Sequence, residues 1–386
     1  MKKAIIIISA IFGILAILTG VYFAWKKTQT ILTPPGPVQS TTSVNQPTTN
    51  EQQTAVQKLK IISEQPIFDY WVFYPTVTST GKTVATSTLP NSSPKIFYIS
   101  QEGKIFSINT DNKAEAVSPE PISNLQAIKK SADGKRVVIK FGDFTAPKFI
   151  IFNSETKVFE TLPDNISAAA FSPDSQKIAY LEQTSGNLMT KDLVGAKPKT
   201  TKILSLNQKD FDLEWISAEK IILTPKPSAF YPSSAWQVDI KNKTINSLGS
   251  VANGLMIKWS ISGKTGLEFS VQSAGGKSNL SLIDDQGLTK GNLNFITFPD
   301  KCSIVEPKIY CAIPDGLPVN GVLPDDYLKR AIYFKDSIYQ IDTSQNSMVG
   351  ILNITDPALD AINLTLAGGK LFFINRYDNN LYSLEL

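Results

Sequence analysis

The sequence contains no histidine among its 386 residues. Histidine is the side chain that most often acts as a general base near neutral pH, and it is the commonest metal-ligating residue. Its absence excludes a Ser-His-Asp or Cys-His catalytic arrangement. Aspartate pairs and lysines could still act in catalysis, but we expect a protein that is not an enzyme and that carries no metal or cofactor.

An excess of charge of one sign is also missing from most of the chain. The net charge is +4, and Lys2, Lys3, Lys26 and Lys27 account for it because no acidic residue precedes Glu51 and the remainder is balanced. A neutral body offers no basic surface for a phosphate backbone. We therefore expect no nucleic acid among the partners.

Cysteine is scarce, and the two that occur are Cys302 and Cys311. They flank a candidate hairpin whose midpoint falls between Glu306 and Pro307, so strands of equal length would place the two sulfurs opposite each other. Opposed residues on neighbouring antiparallel strands have Cα atoms about 4.5–5.5 Å apart, within the disulfide range. We expect a disulfide and hence an oxidising compartment; two buried free thiols are the alternative.

One long hydrophobic run is present. The 22 residues from Ala4 to Trp25 carry no charge, and a helix of that length spans roughly 33 Å of hydrocarbon. Tyr22 and Trp25 stand where an interfacial aromatic belt is expected. We predict a single-pass transmembrane anchor over residues 1–27 with a cytoplasmic N-terminus. A cleaved signal peptide, whose apolar core is shorter and ends in small residues, is the alternative.

The segment after this run has a biased composition. Residues 28–57 are rich in Thr, Gln, Pro and Ser, with one acidic residue and no basic one. Such a segment cannot bury enough apolar surface to fold. We predict a disordered tether with a reach of about 30 Å, which would hold a body at residues 58–386 outside the cytoplasm, close to a bacterial cell membrane.

A hydrophobic strand, a short turn and a second strand recur along this body. The turns are marked by Asp133, Asp174, Ala218, Gly263 and Glu306, at steps of 41 to 45 residues. A fixed period of this length with hydrophobic strands around each turn is typical of propeller blades. The fold class predicted is therefore all-β, a β-propeller.

The repeats also predict how the ring closes. Six blades fit the chain up to residue 353, and residues 362–386 supply only three further strands. Residues 58–62, just after the tether, can fill the missing outer place and so remove the free edge of the last sheet. We predict seven blades, with six and eight as alternatives; two of them would span 211–248 and 255–298 as separate sheets.

The best copy of the repeat carries a family resemblance. The run FSPDSQKIAY, Phe171 to Tyr180, is similar to the repeat of TolB-type and prolyl-oligopeptidase-type propellers, with Ser175 in place of their glycine. The overall layout, with KC, YCAIP and LPDDY between residues 301 and 327, also resembles bacterial membrane-anchored propellers of uncharacterised activity. The resemblance implies the fold and brings no activity: we expect a tether where TolB has an α/β domain, and the sequence has no histidine for the Ser, Asp and His set of the peptidases' hydrolase domain.

Three loops are the candidate ligand-binding regions. Loops between the second and third strands of each blade share one mouth of a propeller, and three of them carry aromatic or charged residues. Aromatic rings on loops could stack on sugar rings or peptide prolines. The aspartates of a long insertion, Ile313 to Arg330, could bind Ca²⁺ through oxygen atoms. The packing of the aromatic rings under their own loops and solvated acidic residues are the alternatives. The candidate residues are Phe230, Tyr231 and Trp236, then Asp315, Asp325 and Asp326, then Arg376, Tyr377 and Asp378.

Three functions follow as hypotheses. The first is a non-enzymatic, extracytoplasmic propeller that binds an envelope protein or a glycan. The second is a glycoside hydrolase or lyase that uses two carboxylates about 5–10 Å apart in one pocket. The third is a structural protein of the cell envelope.

Overall fold

The computed structural model describes residues 58–74, 94–109, 113–354 and 356–386. The predicted anchor and tether lie outside the described residues. Within these ranges no helix combines the length and the apolar character needed to cross a membrane.

The described residues form 27 strands and a short helix, α1 (Asp325–Leu328). The strands in chain order are β1 (Leu59–Ile61), β2 (Ile67–Phe73), β3 (Lys95–Ser100), β4 (Ile105–Ile108), β5 (Ala114–Ala116), β6 (Leu125–Lys130), β7 (Arg136–Gly142), β8 (Pro147–Asn153), β9 (Phe159–Thr161), β10 (Ile166–Phe171), β11 (Lys177–Glu182), β12 (Asn187–Asp192), β13 (Thr200–Ser205), β14 (Phe211–Ser217), β15 (Lys220–Pro225), β16 (Pro232–Asp239), β17 (Thr244–Trp259), β18 (Thr265–Val271), β19 (Ser278–Asp284), β20 (Thr289–Asn292), β21 (Cys302–Val305), β22 (Lys308–Pro314), β23 (Asp336–Asp342), β24 (Ser347–Leu352), β25 (Ala361–Ala367), β26 (Lys370–Asn375) and β27 (Leu381–Glu385).

Each sheet is an antiparallel meander in which strands pair in chain order. Sheets β2–β5, β6–β9, β10–β13 and β21–β24 have four strands each, and β14–β20 form one sheet of seven. The first strands of successive sheets lie against one another, with β6 next to β2 and β10, β10 next to β14, and β21 next to β25. The first strands therefore gather around a common axis, and the later strands of each sheet lie farther out.

The last sheet is completed by the first described strand. It has the order β1-β27-β26-β25, with Leu59 opposite Leu384 and Ile61 opposite Tyr382. The backbone N–H of Ile62 donates to the carbonyl of Leu381 at 2.8 Å. The two ends of the described chain therefore share one sheet, as the closure argument predicts.

The turn of the repeat is stabilised by its own side chains. Asp174 accepts hydrogen bonds from the hydroxyl of Ser172 at 2.5 Å and from the backbone N–H of Gln176 at 3.0 Å. Ser175 has a φ of 59°, the left-handed conformation for which the related repeats use glycine. The acidic residue of the motif is thus occupied within the turn.

Strand β17 differs from the sequence expectation. The sequence predicts that one blade ends at Leu248 and the next begins at Leu255, but the strand is continuous over sixteen residues. Its first part pairs with β16 and its second part with β18. Gly249 and Gly254 have φ values of 67° and 63°, and the strand register shifts at both glycines, between Leu248 and Ala252 on the side of β16 and between Asn253 and Met256 on the side of β18.

The core lies between neighbouring sheets. Between the first two sheets, Trp71 stacks on Phe97 with ring centroids 5.6 Å apart and meets Phe152 edge-on at 6.0 Å. The indole N–H of Trp71 donates to the hydroxyl of Ser154 at 2.8 Å. Aromatic pairs of this kind contribute beyond the area they bury, and here they fix the angle between two sheets.

The predicted disulfide is confirmed. Cys302 on β21 and Cys311 on β22 are direct partners in the strand register, with Cα atoms 4.1 Å apart and the sulfurs bonded. Both residues are fully buried. The bond therefore ties two strands of a core hairpin together.

Candidate functional site

Three predicted loops lie at the same end of the molecule, and one of them contacts both of the others. They join β15 to β16, β22 to β23 and β26 to β27, and the antiparallel order returns each to the end where the first strands begin. We call this end the mouth, and residues 315–335 between β22 and β23 the insertion. The contacts described below show that the insertion bridges the other two loops.

The acidic residues of the insertion hold it in place. One carboxylate oxygen of Asp325 accepts a hydrogen bond from the backbone N–H of Ala229 at 2.7 Å, which joins the insertion to the β15–β16 loop. Asp326 accepts from the backbone N–H of Val322 at 2.8 Å, and Asp315 accepts from the hydroxyl of Ser337 at 2.9 Å. All three aspartates considered as oxygen ligands for Ca²⁺ thus accept hydrogen bonds from the protein itself. No cluster of metal-binding type is present in the described part of the chain.

A buried charge network anchors the other side of the insertion. The Lys301 ammonium lies 2.6 Å from Asp336 and 2.5 Å from Asp360, and all three side chains are 0% exposed. Arg376 is also buried and pairs with Asp360 at 2.9 Å. Its guanidinium donates to the backbone carbonyl of Tyr327 in α1 at 2.8 Å and lies 3.7 Å from the centre of that ring. Arg376, predicted as a ligand-binding residue, is therefore buried, and its guanidinium is occupied by contacts within the protein.

The network is balanced but not fully hydrogen-bonded. Burial alone would lower the pKa of Lys301, but the carboxylates of Asp336 and Asp360 outweigh burial and raise it. Burial raises the pKa of Asp336 to about 6, although Lys301 opposes the shift. One oxygen of Asp336 has no hydrogen-bond partner. Lys301 consequently stays charged, and Asp336 is the residue of the network whose charged form is disfavoured by burial.

Exposed aromatic rings surround the mouth. Phe230 and Tyr231, from the β15–β16 loop, are 56% and 75% exposed. Tyr333 of the insertion stacks on Tyr377 of the β26–β27 loop with centroids 5.3 Å apart, and both remain partly exposed. Leu328 of α1 is exposed beside them. We call these five residues the rim.

Neither of the two remaining candidates belongs to the rim. Trp236 is on β16, where it is half-buried and packs against the core between two sheets. Asp378 accepts hydrogen bonds from the hydroxyl of Tyr382 at 2.6 Å and from the backbone N–H of Asn380 at 2.9 Å. Both residues therefore have evident structural contacts.

A cavity that was not predicted from the sequence lies beside the rim residue Leu328. It has a volume of about 360 Å³, and its lining includes Lys129, Asp212, Glu214, Asp300 and the rim residue Leu328. Two smaller cavities, of about 330 and 210 Å³, also reach Lys129 from either side of β10. Part of the lining comes from β6, β14 and the second half of β17, and the rest comes from the end of β15 and the loop after it, from the residues before β21 and from α1. We call the largest of these three spaces the axial cavity.

The alanines of β10 create room for an ion pair across the axis. Ala168, Ala169 and Ala170 present only methyl groups, and all three line the smaller cavities. The Lys129 ammonium on β6 can therefore pass β10 and reach Asp212 on β14 at 2.5 Å. The two side chains are 32% and 59% exposed, as expected for groups that line a cavity wall. The ion pair connects two sheets that are not neighbours.

Glu214 is the most perturbed carboxylate of the axial cavity. It follows Asp212 by two residues on β14, so both point to the same face of the strand. Burial raises the pKa of Glu214 to about 7; Lys129 lowers it, while Asp212 and Asp300 raise it further. Among the described residues Glu214 makes no hydrogen bond or ion pair. A partly buried carboxylate without a partner is unusual and marks a candidate site.

A sequence signal for this cavity was present. In Phe211-Asp212-Leu213-Glu214-Trp215, acidic residues alternate with apolar ones, which predicts a strand with one charged face. Function was expected only in loops between strands. The charged face of β14 lines the cavity instead, and which surface a strand face lines depends on which sheets are its neighbours.

Comparisons with known proteins give the fold and little else. No family model matches the sequence, and no curated protein matches it. Among solved structures, U3-55K is 11% identical with a TM-score of 0.51, and the match covers 86% of this chain and 99% of that one. TolB from Acinetobacter baumannii is 14% identical with a TM-score of 0.42, covering 64% of this chain and 59% of TolB. This chain thus spans about three fifths of TolB.

A third solved structure is described as a propeller. The β-propeller domain of the trilobed protease from Pyrococcus furiosus is 13% identical with a TM-score of 0.46, and the match covers 68% of this chain and 81% of that domain. At such identities the likeness concerns the fold alone. Meandering sheets whose first strands lie against one another, with the final sheet closed by the first described strand, make this chain a β-propeller.

Proposed function

We propose that this chain is a seven-bladed β-propeller that stands outside the cytoplasm of a bacterial cell and binds a protein or a glycan at its mouth without catalysing a reaction. In this proposal residues 1–27 are the membrane anchor and residues 28–57 the tether. The observation that carries the binding role is the rim of exposed apolar residues on the mouth loops, one of which, Leu328, also lines the axial cavity.

The strand arrangement supports seven blades. Five sheets have four strands, and the seven-stranded sheet β14–β20 becomes two blades when β17 serves as the outer strand of one and the first strand of the next. The glycines in β17 mark the change between these roles. The count agrees with the period of the repeat.

The construction of the rim supports binding. Large apolar side chains that gather at the surface beside a cavity are typical of interaction sites. Here the Lys301 network and the hydrogen bond from Ala229 to Asp325 fix the loops that carry them in place. A rigid aromatic surface loses little conformational entropy on binding.

The disulfide supports the compartment. Disulfides persist in oxidising environments and are rare in the cytoplasm, and both cysteines of this chain are consumed in the bond. Because both cysteines of the sequence are bonded to each other, an engineered cysteine would be the one free thiol available for labelling.

One experiment tests both the placement and the mouth. Tyr231→Cys places a thiol on the rim, and Ile261→Cys places one on the opposite end, in the turn after β17; the native side chains are 75% and 77% exposed. Intact cells that express each full-length variant are treated with a membrane-impermeant, thiol-reactive crosslinker. We expect both variants to react, and only Tyr231→Cys to form a discrete adduct with a second molecule.

The outcomes separate the two parts of the proposal. Reaction of neither variant until the cells are lysed would overturn the extracytoplasmic placement. Reaction of both without any adduct, or with the same adducts from both ends, would overturn binding at the mouth.

A carboxylate-based glycoside hydrolase or lyase is the second candidate function. It is favoured by the presence of Asp212, Glu214 and Asp300 in one cavity, with the pKa of Glu214 near 7 and Asp212 paired to Lys129. Two carboxyl groups with separated pKa values can divide the acid and base roles. Conversion of a polysaccharide by the native chain that is lost in Glu214→Gln would support this candidate over the first.

A further inference from the structure

We infer that the axial cavity receives a lysine side chain of a protein partner, with its ammonium group between Glu214 and Asp300 and its aliphatic stem against the apolar wall. This inference rests on the proposed binding at the mouth and names the chemistry of the partner.

The charges that remain unpaired in the cavity are acidic. Lys129 is bound to Asp212 at 2.5 Å, and Lys226, at the edge, is bound to Asp210 at 3.2 Å. Glu214 and Asp300 have no ion-pair or hydrogen-bond partner among the described residues. Two unpaired carboxylates in one cavity favour a cation as the occupant.

Lys258 is a nearby cation that could have formed an ion pair with Glu214 or Asp300. It lies on β17, and its ammonium donates to the backbone carbonyl of Cys302 at 2.7 Å. Burial lowers its pKa, against the opposing effect of Asp300. Because a carbonyl already holds its ammonium, Lys258 offsets part of the acidic charge without pairing either carboxylate. A visiting ammonium group can therefore make contacts that no residue of the chain makes.

The wall of the cavity selects an aliphatic stem. Leu255 and Met256 on β17 line it, together with Pro225, Pro227 and Pro299. A polar sugar ring against these side chains would leave hydroxyl groups without hydrogen bonds, at a cost of roughly 1–3 kcal/mol for each. The methylene groups of a lysine would instead bury apolar surface. The wall thus favours lysine over an amino sugar that carries the same charge.

The size and the rim favour a polypeptide as the carrier. A volume of about 360 Å³ is at the lower end for ligand pockets, which suits one long side chain better than a whole oligosaccharide. Leu328 belongs to both the cavity lining and the rim. A chain whose lysine enters the cavity would consequently place its flanking residues on Phe230, Tyr231 and Leu328.

The titration of Glu214 gives the site a pH signature. Its pKa of about 7 means that it is largely protonated at pH 6 and ionised at pH 8. The groups that face it are Lys129 on β6, Asp212 on β14, Lys258 on β17 and Asp300. A bound ammonium group would lower the pKa of Glu214 and release a proton. Binding should therefore strengthen several-fold from pH 6 to pH 8, where lysine itself keeps its charge.

The test measures peptide binding to the full chain in detergent micelles. The probes are capped Gly-Lys-Gly and the same tripeptide with norleucine or acetyl-lysine in place of lysine, followed by ligand-detected NMR titration. Chitosan trimer is the probe for an amino glycan. The variants are Glu214→Gln with Asp300→Asn, which keep the side-chain shape, and Asp164→Asn as the control, an exposed carboxylate outside the cavity.

We expect the lysine peptide to bind more tightly than the other two peptides, and at least tenfold more weakly to the double variant than to the native chain. Asp164→Asn should bind as the native chain does. Equal binding of the lysine and norleucine peptides, or no effect of the double variant, would overturn the inference. Binding of chitosan trimer alone, lost in the double variant, would overturn it in favour of an amino glycan.

A failure here is distinguishable from a failure of the proposed function. If Tyr231→Cys forms its adduct on intact cells while the lysine peptide has no advantage, the mouth binds a partner and only the lysine assignment is wrong. Absence of the adduct together with no peptide binding would overturn both.

Discussion

At the residue scale, the partners of a side chain decide what it can do. Asp174 and Glu214 are both acidic residues beside a first strand or within one. Asp174 accepts two hydrogen bonds within its own turn and is a structural residue. Glu214 accepts none and faces a cavity, so burial disfavours its charge and a ligand can restore it.

The Lys301 network shows the same rule for buried charges. Asp360 accepts hydrogen bonds from Lys301, from the hydroxyl of Tyr327, from the backbone N–H of Phe334 and from Arg376. All four donors depend on one carboxylate. The network therefore joins the insertion to two sheets through a single residue.

Asp360→Asn tests this dependence. The change leaves two buried cations with one carboxylate and turns amide hydrogens toward existing donors, so we expect a loss of about 3–5 kcal/mol in the free energy of unfolding. Urea denaturation of the full chain in detergent measures it. Glu385→Gln, which removes the exposed pairs to Lys60 and Lys370, is the control and should cost less than about 1 kcal/mol. Equal costs for the two variants would contradict the prediction.

At the scale of elements, the hairpin of β21 and β22 carries both the disulfide and the insertion. The disulfide joins the two strands at their base, and the insertion starts after Pro314 at the end of β22. Lys301 immediately precedes the first cysteine. The hairpin thus gives a fixed base to the insertion, which supplies two of the five rim residues, Leu328 and Tyr333.

Loss of the disulfide should weaken this base measurably. By the loop-entropy model, a bond between residues nine apart in sequence contributes about 2–3 kcal/mol. We expect a reducing agent to lower the urea midpoint of the native chain by the corresponding amount. The double variant Cys302→Ala and Cys311→Ala should be less stable from the start and insensitive to the reducing agent. An equal response of both proteins would show that reduction acts elsewhere.

At the scale of the whole molecule, closure depends on a strand of three residues. β1 covers the edge of β27, whose residues Leu381, Tyr382 and Leu384 are buried. Ile62, just beyond β1, is buried as well. Without β1, an apolar strand would become a free edge, which is a template for pairing with another chain.

Deletion of residues 58–62 in the full chain tests the closure. The loss of Ile62 and of the half-buried Leu59 should cost about 3 kcal/mol or more, and the exposed β27 should promote self-association. Thermal denaturation and sedimentation in detergent measure the two effects. Deletion of residues 50–54, which removes the same number of residues from the predicted tether, is the control. If both deletions behave alike, β1 does not close the ring.

Much of the architecture was predictable because it depends on short-range patterns. The strand-turn-strand repeat, the turn chemistry around Asp174 and the opposition of Cys302 and Cys311 all follow from residues fewer than ten positions apart. The continuous β17 was not predicted, because glycines at 249 and 254 are as typical of a loop as of a bent strand. The three candidate loops lie at the mouth, as expected. The burial of Arg376 was not predictable, because it depends on partners in three other segments.

The sequence by itself determined the class of fold, the period of its sheets, the disulfide and the absence of histidine chemistry, since each can be derived from composition or local spacing. Only the tertiary structure decided the candidate site. Lys129, Asp212, Glu214 and Asp300 come from distant segments, and what brings them together is the ring of first strands and the small side chains of β10. A cavity at an axis depends on the packing of whole sheets, and no local pattern encodes it.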